Sequence, residues 1–177
     1  MKLDPKKNAV AETPAEGQAP VCPEQVLGVK FCDGGYFEGT DHIEAIRTRE
    51  GIMLVVLPSW RMRRSPVCRA MSEREWSHLL NKLLDELHIC SWKREYCDWQ
   101  ILDGEQWNLE LRMTDDHVLK ITGSNDYPPE WDKLLSLFDP FLRECAVSED
   151  TDEASYLKHK AAYEELIALR NKSASNE

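Results

Sequence analysis

The chain has 177 residues, of which 42% are hydrophobic and 31% charged, and its formal net charge is −10. This composition is typical of one soluble globular domain with some spare length. No apolar run approaches the ~18–20 residues of a membrane-spanning helix, and the first residues lack the apolar core of a secretory signal, so we expect a cytoplasmic protein. A chain this acidic repels nucleic acid and anionic membranes unless its basic residues cluster.

The cysteines and histidines predict no metal centre. Six cysteines are present, and no two of them form a Cys-x-x-Cys pair, which argues against a zinc ribbon or a thioredoxin-like motif. His88, Cys90 and Cys97 lie near one another in sequence, but no fourth ligand accompanies them. We therefore expect reduced, mostly buried thiols, no metal and no cofactor.

The first part of the chain combines a polar tail with three strands. Residues 1–25 are rich in Ala, Pro, Glu and Gly, which predicts a disordered N-terminal tail. Residues 26–32, 42–48 and 52–57 have the apolar patterns of strands. The last of these is apolar on both faces, so we predict that it lies centrally in its sheet.

Residues 72–88 predict a helix most strongly. Ser72 and Glu75 have the spacing of a capping box, and Met71 and Trp76 that of a hydrophobic staple. One face of the helix carries an apolar stripe at helical spacing, formed by Trp76, Leu79, Leu80, Leu83, Leu84 and Leu87.

The second half repeats the plan of strands followed by a helix. A three-stranded meander is predicted at about residues 96–102, 107–113 and 117–122, with Asp103-Gly104 as a two-residue hairpin turn. A helix follows, with Pro129 in its first turn and Pro140 as its stop.

A last amphipathic helix is predicted at about residues 151–172, within a C-terminal segment 146–172, and a frayed tail at 173–177. The predicted fold is α+β: two antiparallel three-stranded runs, each followed by a helix packed on the sheet, plus the C-terminal helix. Residues 26–145 would form one domain with an internal duplication as one explanation of its two halves. Whether the halves share one sheet or form two layers is left open by the sequence.

The central stretch resembles a known family. Its pattern comprises Trp92-x3-Tyr96, then Asp103-Gly104-x2-Trp107-x-Leu109-Glu110-Leu111, then Gly123-Ser-Asn-Asp-Tyr127-Pro128 and Trp131. This pattern is similar to that of a family of small bacterial proteins, common in gut-dwelling Firmicutes and classed as a domain of unknown function. The likeness covers roughly residues 26–142 in plan and 92–138 in detail. It implies a bacterial, cytoplasmic protein, and it supplies no activity.

The connector from Gly123 to Pro129 has two interpretations. Ser124 and Asn125 could bind a ligand at a helix entrance, or they could satisfy backbone groups while Tyr127 fills the seam between sheet and helix. The structural interpretation is the simpler one. The candidate ligand- or partner-binding residues are Asp103, Trp107, Ser124, Asn125, Tyr127 and Trp131.

A basic cluster is the second candidate site. Arg61, Arg63, Arg64 and Arg69 lie in a stretch without acids, beside Trp60. Such a combination can bind phosphate and stack a base, or it can pair with acidic groups of this chain or of a partner. The net negative charge favours the second possibility.

No catalytic constellation is evident in the sequence. Our leading hypothesis is therefore a non-catalytic protein-interaction module that uses its tryptophans and its amphipathic terminal helix. The alternatives are a small-molecule-binding protein or small enzyme with a cleft near the connector, and nucleic-acid binding through the arginine cluster.

Overall fold

The structure is a computed structural model that describes residues 21–35, 39–59, 62–101, 104–150 and 152–174. The described strands are β1 Val26–Gly35, β2 Gly39–Thr48, β3 Gly51–Leu57, β4 Val67–Met71, β5 Glu95–Cys97, β6 Glu105–Met113 and β7 Val118–Ser124. The α-helices are α1 Glu73–Asn81, α2 Trp131–Arg143 and α3 Asp152–Ala174. A π turn at Lys82–Glu86 continues α1, and short 3-10 turns lie at Pro23–Gln25 and Ile89–Ser91.

All the described strands belong to one sheet, in the order β4-β3-β2-β1-β6-β7-β5. Neighbouring strands are antiparallel except for β5 and β7, which run parallel. The predicted α+β class with an antiparallel sheet is thus confirmed. The two halves of the chain meet where β1 pairs with β6, with Phe31 opposite Leu109.

The two predicted three-stranded runs differ from the structure in detail. The first run has a fourth strand, β4, which was not predicted and which contains Arg69 of the arginine cluster. In the second run, β5 is three residues long and β7 separates it from β6. Asp103-Gly104 therefore does not join neighbouring strands, and Asp103 itself lies outside the described residues. The long β6 gains more ladder hydrogen bonds by pairing with β1 than the short β5 could offer.

The α1 helix begins as predicted, whereas α2 begins at Trp131, so Pro129 precedes the helix rather than lying in its first turn. Ser72 caps α1, and both hydrogen bonds of the capping box with Glu75 are present. Pro140 does not stop α2, which continues to Arg143. Of the predicted 1–25 tail, residues 1–20 lie outside the description, while Val21 packs against the core. Ser173, the first residue of the predicted frayed tail, belongs to α3. It is buried, and its hydroxyl donates a hydrogen bond to the carbonyl of Arg47.

The main core lies on one face of the sheet, beneath α1 and α2. Alternating apolar residues of β1, β2, β3, β6 and β7 pack into this core. Trp76 and Leu80 of α1 and Leu134 and Phe138 of α2 are buried against it. Phe31 stacks on Phe138 with ring centroids 4.5 Å apart, so α2 is fixed over the centre of the sheet.

On the opposite face, α3 packs mainly against β2 and β3. A second buried cluster joins Leu166 and Leu169 of α3 to Ile46, Val55 and Leu57. This cover explains why β3 is apolar on both faces. The sequence predicts an apolar docking stripe on α3 that runs from Leu157 to Leu169, but Leu157 is 56% exposed and lies on the outer side. None of the described helices combines the length and apolarity that crossing a membrane would require.

Candidate functional site

The connector is shaped by three residues, Trp107, Gly123 and Asn125. Trp107 Nε1 donates a hydrogen bond to the carbonyl of Asp126 at 3.0 Å. A Cβ atom at Gly123 would lie 1.9 Å from that same nitrogen, so only glycine fits beneath the indole. Asn125 has a positive φ of 53°, and its Oδ1 accepts from the backbone N–H of Glu105 at 2.9 Å. These side chains therefore hold the end of β7 against the start of β6.

The aromatic residues of the connector continue this packing. The ring of Trp131 lies 4.8 Å from those of both Trp107 and Tyr127, measured between centroids. The Tyr127 hydroxyl donates to Glu105 Oε2 at 2.5 Å, and burial together with that carboxylate raises the pKa of Tyr127. Ser124 Oγ accepts from Gln106 Nε2 at 2.6 Å. The polar groups of Ser124, Asn125 and Tyr127 thus all bond within the protein.

A cavity of about 500 Å³ lies beside the connector. Its wall includes Asp126, Tyr127 and Tyr96, with Lys93 and Glu130 also lining it. Ser124 and Asn125 contribute to the turn above rather than to this wall. Of the candidate connector residues, Tyr127 is therefore the one that reaches the cavity.

The arginine cluster is mostly engaged inside the protein. Arg69 bridges Glu144 and Glu75 at 2.7 and 2.9 Å, which ties β4 to α1 and to the end of α2. Arg64 Nη1 donates to the carbonyl of Leu142 at 3.3 Å. The Arg63 side chain is 72% exposed, 3.8 Å from Asp152, and Arg61 lies outside the described residues. The three described arginines pair with groups of this chain, as the net charge favoured.

A larger groove of about 770 Å³ separates α1 from α2. Its apolar floor comprises Leu79 and Leu87 on one side and Leu137, Pro140 and Phe141 on the other. A groove of this volume and lining is of the size that binds an apolar ligand or the side chains of a docked segment.

Both walls of the groove depart from regular α-helix. In the π turn, the backbone N–H of Leu87 donates to the carbonyl of Lys82, five residues earlier. In α2, Pro140 has no N–H, so the carbonyl of Ser136 loses its donor within the helix. π turns occur frequently at functional sites. Lys82, Leu87, Ser136 and Pro140 all line the groove, so both irregularities face it.

The rim of the groove carries unequal charge. Lys82 pairs with Glu86 at 2.6 Å and Glu75 pairs with Arg69, which neutralises part of the rim. Lys133 is exposed and shows no ion pair with any described residue, and His78 is exposed on the opposite wall. Asp132, next to Lys133, is also exposed and shows no ion pair with any described residue, so the rim carries an unpaired acid as well as an unpaired lysine.

The contact surfaces expected from the sequence are largely used for folding. Trp76 and Trp107 are buried in the core, and Trp92 is 8% exposed. Among the described tryptophans, Trp99 alone is widely exposed, at 82%. Sequence reasoning missed the groove because it ended α2 at Pro140. The signal available was a proline inside a stripe that continues to Phe141.

No family model matches this chain, and no curated protein matches it in sequence. Within the described ranges, no group of three or more His, Cys, Asp or Glu side chains is arranged to hold a metal ion. The family resemblance in the central motifs thus stays a prediction, and function has to be argued from the geometry.

Proposed function

We propose that the protein is an interaction module whose groove between α1 and α2 receives an amphipathic helix of a partner protein. The observation that supports this most is the pair of irregular helix walls, the π turn and Pro140, on either side of an apolar floor. Amphipathic helices bind such grooves by inserting apolar residues at positions i, i+3, i+4 and i+7.

The rim indicates the charge of the partner. Lys133 and Asp132 both stand at the groove without ion-pair partners among the described residues. An acidic residue beside the apolar stripe of the partner helix would meet Lys133, and a basic residue would meet Asp132. Because Pro140 has no N–H, the carbonyl of Ser136 lacks its usual helical donor and offers an acceptor to a hydroxyl or amide of the same helix. The proposed partner is therefore a helix with an apolar face and with both an acidic and a basic residue on its flank.

Photo-crosslinking from inside the groove tests this proposal. A photoreactive residue placed at Ser136 of the full chain is activated in extract of the native host, and the crosslinked segment is sequenced. The same residue at Lys120, which is exposed on the opposite face of the sheet, serves as the matched position. We expect Ser136 to capture one amphipathic helix that Lys120 does not capture.

Capture alone does not support the proposal, so the recovered segment is synthesised and titrated against purified protein. Ser136→Trp should fill the groove and weaken binding by more than about tenfold, since it removes the space for an apolar anchor. Lys133→Glu should weaken binding by about two- to fivefold through a rim charge, and Lys120→Glu should not. Equal binding by all variants, or identical capture from both positions, would overturn the groove as the docking site.

Small-molecule binding beside the connector is a second candidate, favoured by the cavity of about 500 Å³ that Tyr127 and Asp126 line. Its test is a thermal-shift screen against metabolites, with Tyr96→Phe and Asp126→Asn as wall variants. A compound that raises the melting temperature of the wild type but not of the Asp126→Asn variant would support this candidate. A screen without any such compound would remove it.

A further inference from the structure

A thiol, an imidazole and an amide lie side by side across three strands on the sheet face that α3 partly covers. In the ladder, Cys32 of β1 stands directly opposite His42 of β2 and, on its other side, opposite Asn108 of β6. Cross-strand neighbours share one face of a sheet, so the three side chains form a row. The Cys32 Sγ atom lies 3.4 Å from His42 Nδ1.

A carboxylate completes the row on the far side of the ring. His42 Nε2 lies 3.0 Å from Glu44 Oε2, and Arg170 of α3 donates to both oxygens of Glu44. Although burial by itself would raise it, the hydrogen bonds from Arg170 and His42 lower the pKa of Glu44 to about 2. The ionised Glu44 only accepts, so Nε2 carries the proton and Nδ1 presents a lone pair to the thiol.

The Cys32 thiol becomes a nucleophile only when a base such as His42 Nδ1 accepts its proton. Burial raises the pKa of Cys32 to about 11, although Lys30 and Asn108 act in the opposite direction. The sulfur is therefore protonated near neutral pH and becomes a nucleophile when a base takes its proton. A nucleophile, a base at hydrogen-bond distance and a third group that orients the base are the three parts of nucleophilic catalysis.

The position of the row limits what can reach it. The main sheet contacts of α3 are with β2 and β3, while Lys120 of β7 on the same face has a side chain that is 58% exposed. Cys32 lies at the boundary between the covered and the open half and is 6% exposed. A substrate would therefore approach the sulfur from the open half of this face.

We propose that Cys32 is the nucleophile of a site that accepts a small acyl group from an activated ester or thioester, with His42 as its general base. The proton of Sγ passes to His42 Nδ1 as the S–C bond forms at the carbonyl carbon. The bond from that carbon to the leaving oxygen or sulfur then breaks, and the leaving group takes the proton from His42. The product is a thioester on Cys32 and a free alcohol or thiol, with no change in oxidation state. This activity is independent of the helix groove.

Cys145 provides a matched reference within the same chain. It is 4% exposed, and burial raises the pKa of its thiol to about 11, as for Cys32. No histidine hydrogen bond to Cys145 exists among the described residues. The probe is 4-nitrophenyl acetate, added to the full chain, with acetylation followed at each cysteine by peptide mass spectrometry.

We expect Cys32 to be acetylated at least about tenfold faster than Cys145. His42→Gln should lower the acetylation rate of Cys32 by about 100-fold and leave the acetylation rate of Cys145 unchanged. Cys32→Ser should remove the corresponding release of nitrophenolate. Equal rates at Cys32 and Cys145 in the wild type would overturn the proposal, as would a folded His42→Gln variant with an unchanged Cys32 rate. If that variant unfolds, both cysteines become fast, and the wild-type comparison decides.

Glu44 is a positioning residue in this site. Glu44→Gln keeps an oxygen acceptor for the ring N–H, whereas Glu44→Met removes it. We expect the glutamine variant to retain more of the Cys32 acetylation rate than the methionine variant. The acetylation rate of Cys145 should be the same in both variants. Equal rates at Cys32 in the two variants would contradict an orienting role for Glu44.

Discussion

Gly123 has no side chain because Trp107 occupies the space where one would stand, with its Nε1 atom 1.9 Å from an ideal Cβ position. The indole is also fixed by its hydrogen bond to Asp126 and by its contact with Trp131. Gly123→Ala should therefore lower the free energy of unfolding by about 1–3 kcal/mol, as overpacking of a core does. Urea denaturation measures the change.

Gly35→Ala is the matched control, because the nearest atom to its Cβ position is the carbonyl oxygen of Gly104 at 4.0 Å. This variant should leave the free energy of unfolding unchanged or slightly raised, since alanine restricts the unfolded chain. Equal losses in both variants would show that the Trp107 contact is not the cause.

Asp33 is the residue whose charge opposes folding. Burial, with Glu105 and Asp41 nearby, raises the pKa of Asp33 to about 6, and its Oδ1 atom is buried without a hydrogen bond in the described part of the chain. Its pKa in the unfolded chain is about 3.9, so the folded state binds the proton more tightly. Protonation of Asp33 therefore stabilises the folded state as the pH falls through about 6, and this stabilisation is lost as the pH rises.

Asp33→Asn should raise the free energy of unfolding near pH 7 by on the order of 1 kcal/mol, a figure reduced from the full shift because the carboxyl is partly solvated. The advantage over the wild type should shrink as the pH is lowered to about 5. Thermal melts at both pH values measure it. An advantage that grows on acidification would contradict the assigned sign.

Single residues with local roles could be predicted from the sequence. The capping box of Ser72 and Glu75 follows from a spacing of three residues. The role of Asn125 in satisfying a backbone N–H group follows from the tendency of Asn to bond backbone groups in turns. The row of Cys32, His42 and Asn108 could not be predicted. It depends on the registers of β1 with β2 and with β6, and one residue of slip would turn these side chains to the other face.

At the scale of elements, a buried ion pair adds to the apolar contacts that hold α3 to the sheet. The Glu44 side chain is 7% exposed, and its partner Arg170 is 27% exposed. Arg170→Met keeps the apolar stem but leaves a buried carboxylate without its cation. We expect a loss of about 2 kcal/mol in the free energy of unfolding, with faster hydrogen exchange in α3.

Lys172→Met removes the neighbouring pair with Glu50, whose side chains are 57% and 77% exposed. This exposed pair should contribute less than about 0.5 kcal/mol. If both variants destabilise α3 equally, the docking of this helix does not depend on the buried pair.

The elements that the sequence predicted are those with strong local signals. The stripe and cap of α1 were sufficient to place it, and the alternation of β6 placed one face in the core. β4 was missed because it is only five residues long and follows a stretch with three arginines, and its own Arg69 pairs with Glu75 and Glu144. The continuation of α2 past Pro140 was missed because a proline usually ends a helix, although the apolar stripe of α2 continues to Phe141 and packs against the core.

At the scale of the whole molecule, the sequence predicted an antiparallel sheet with helices but not the order of its strands. The decisive contact is the pairing of β1 with β6, about 80 residues apart in the chain, as in the Lys30–Glu110 ion pair. This pairing places α1 and α2 side by side on one face, and the groove exists because of it. A pattern of local apolar residues carries no information on such a long-range choice.

The most direct test of the account is backbone hydrogen exchange of the full chain, with and without the helical peptide recovered by crosslinking from Ser136. We predict slower exchange at residues 78–87 and 132–141, on the two walls of the groove, and no change on the outer side of α3. Protection confined to α3 around Tyr156 and Tyr163, or no protection at saturating peptide, would contradict the proposal that this groove is the binding surface.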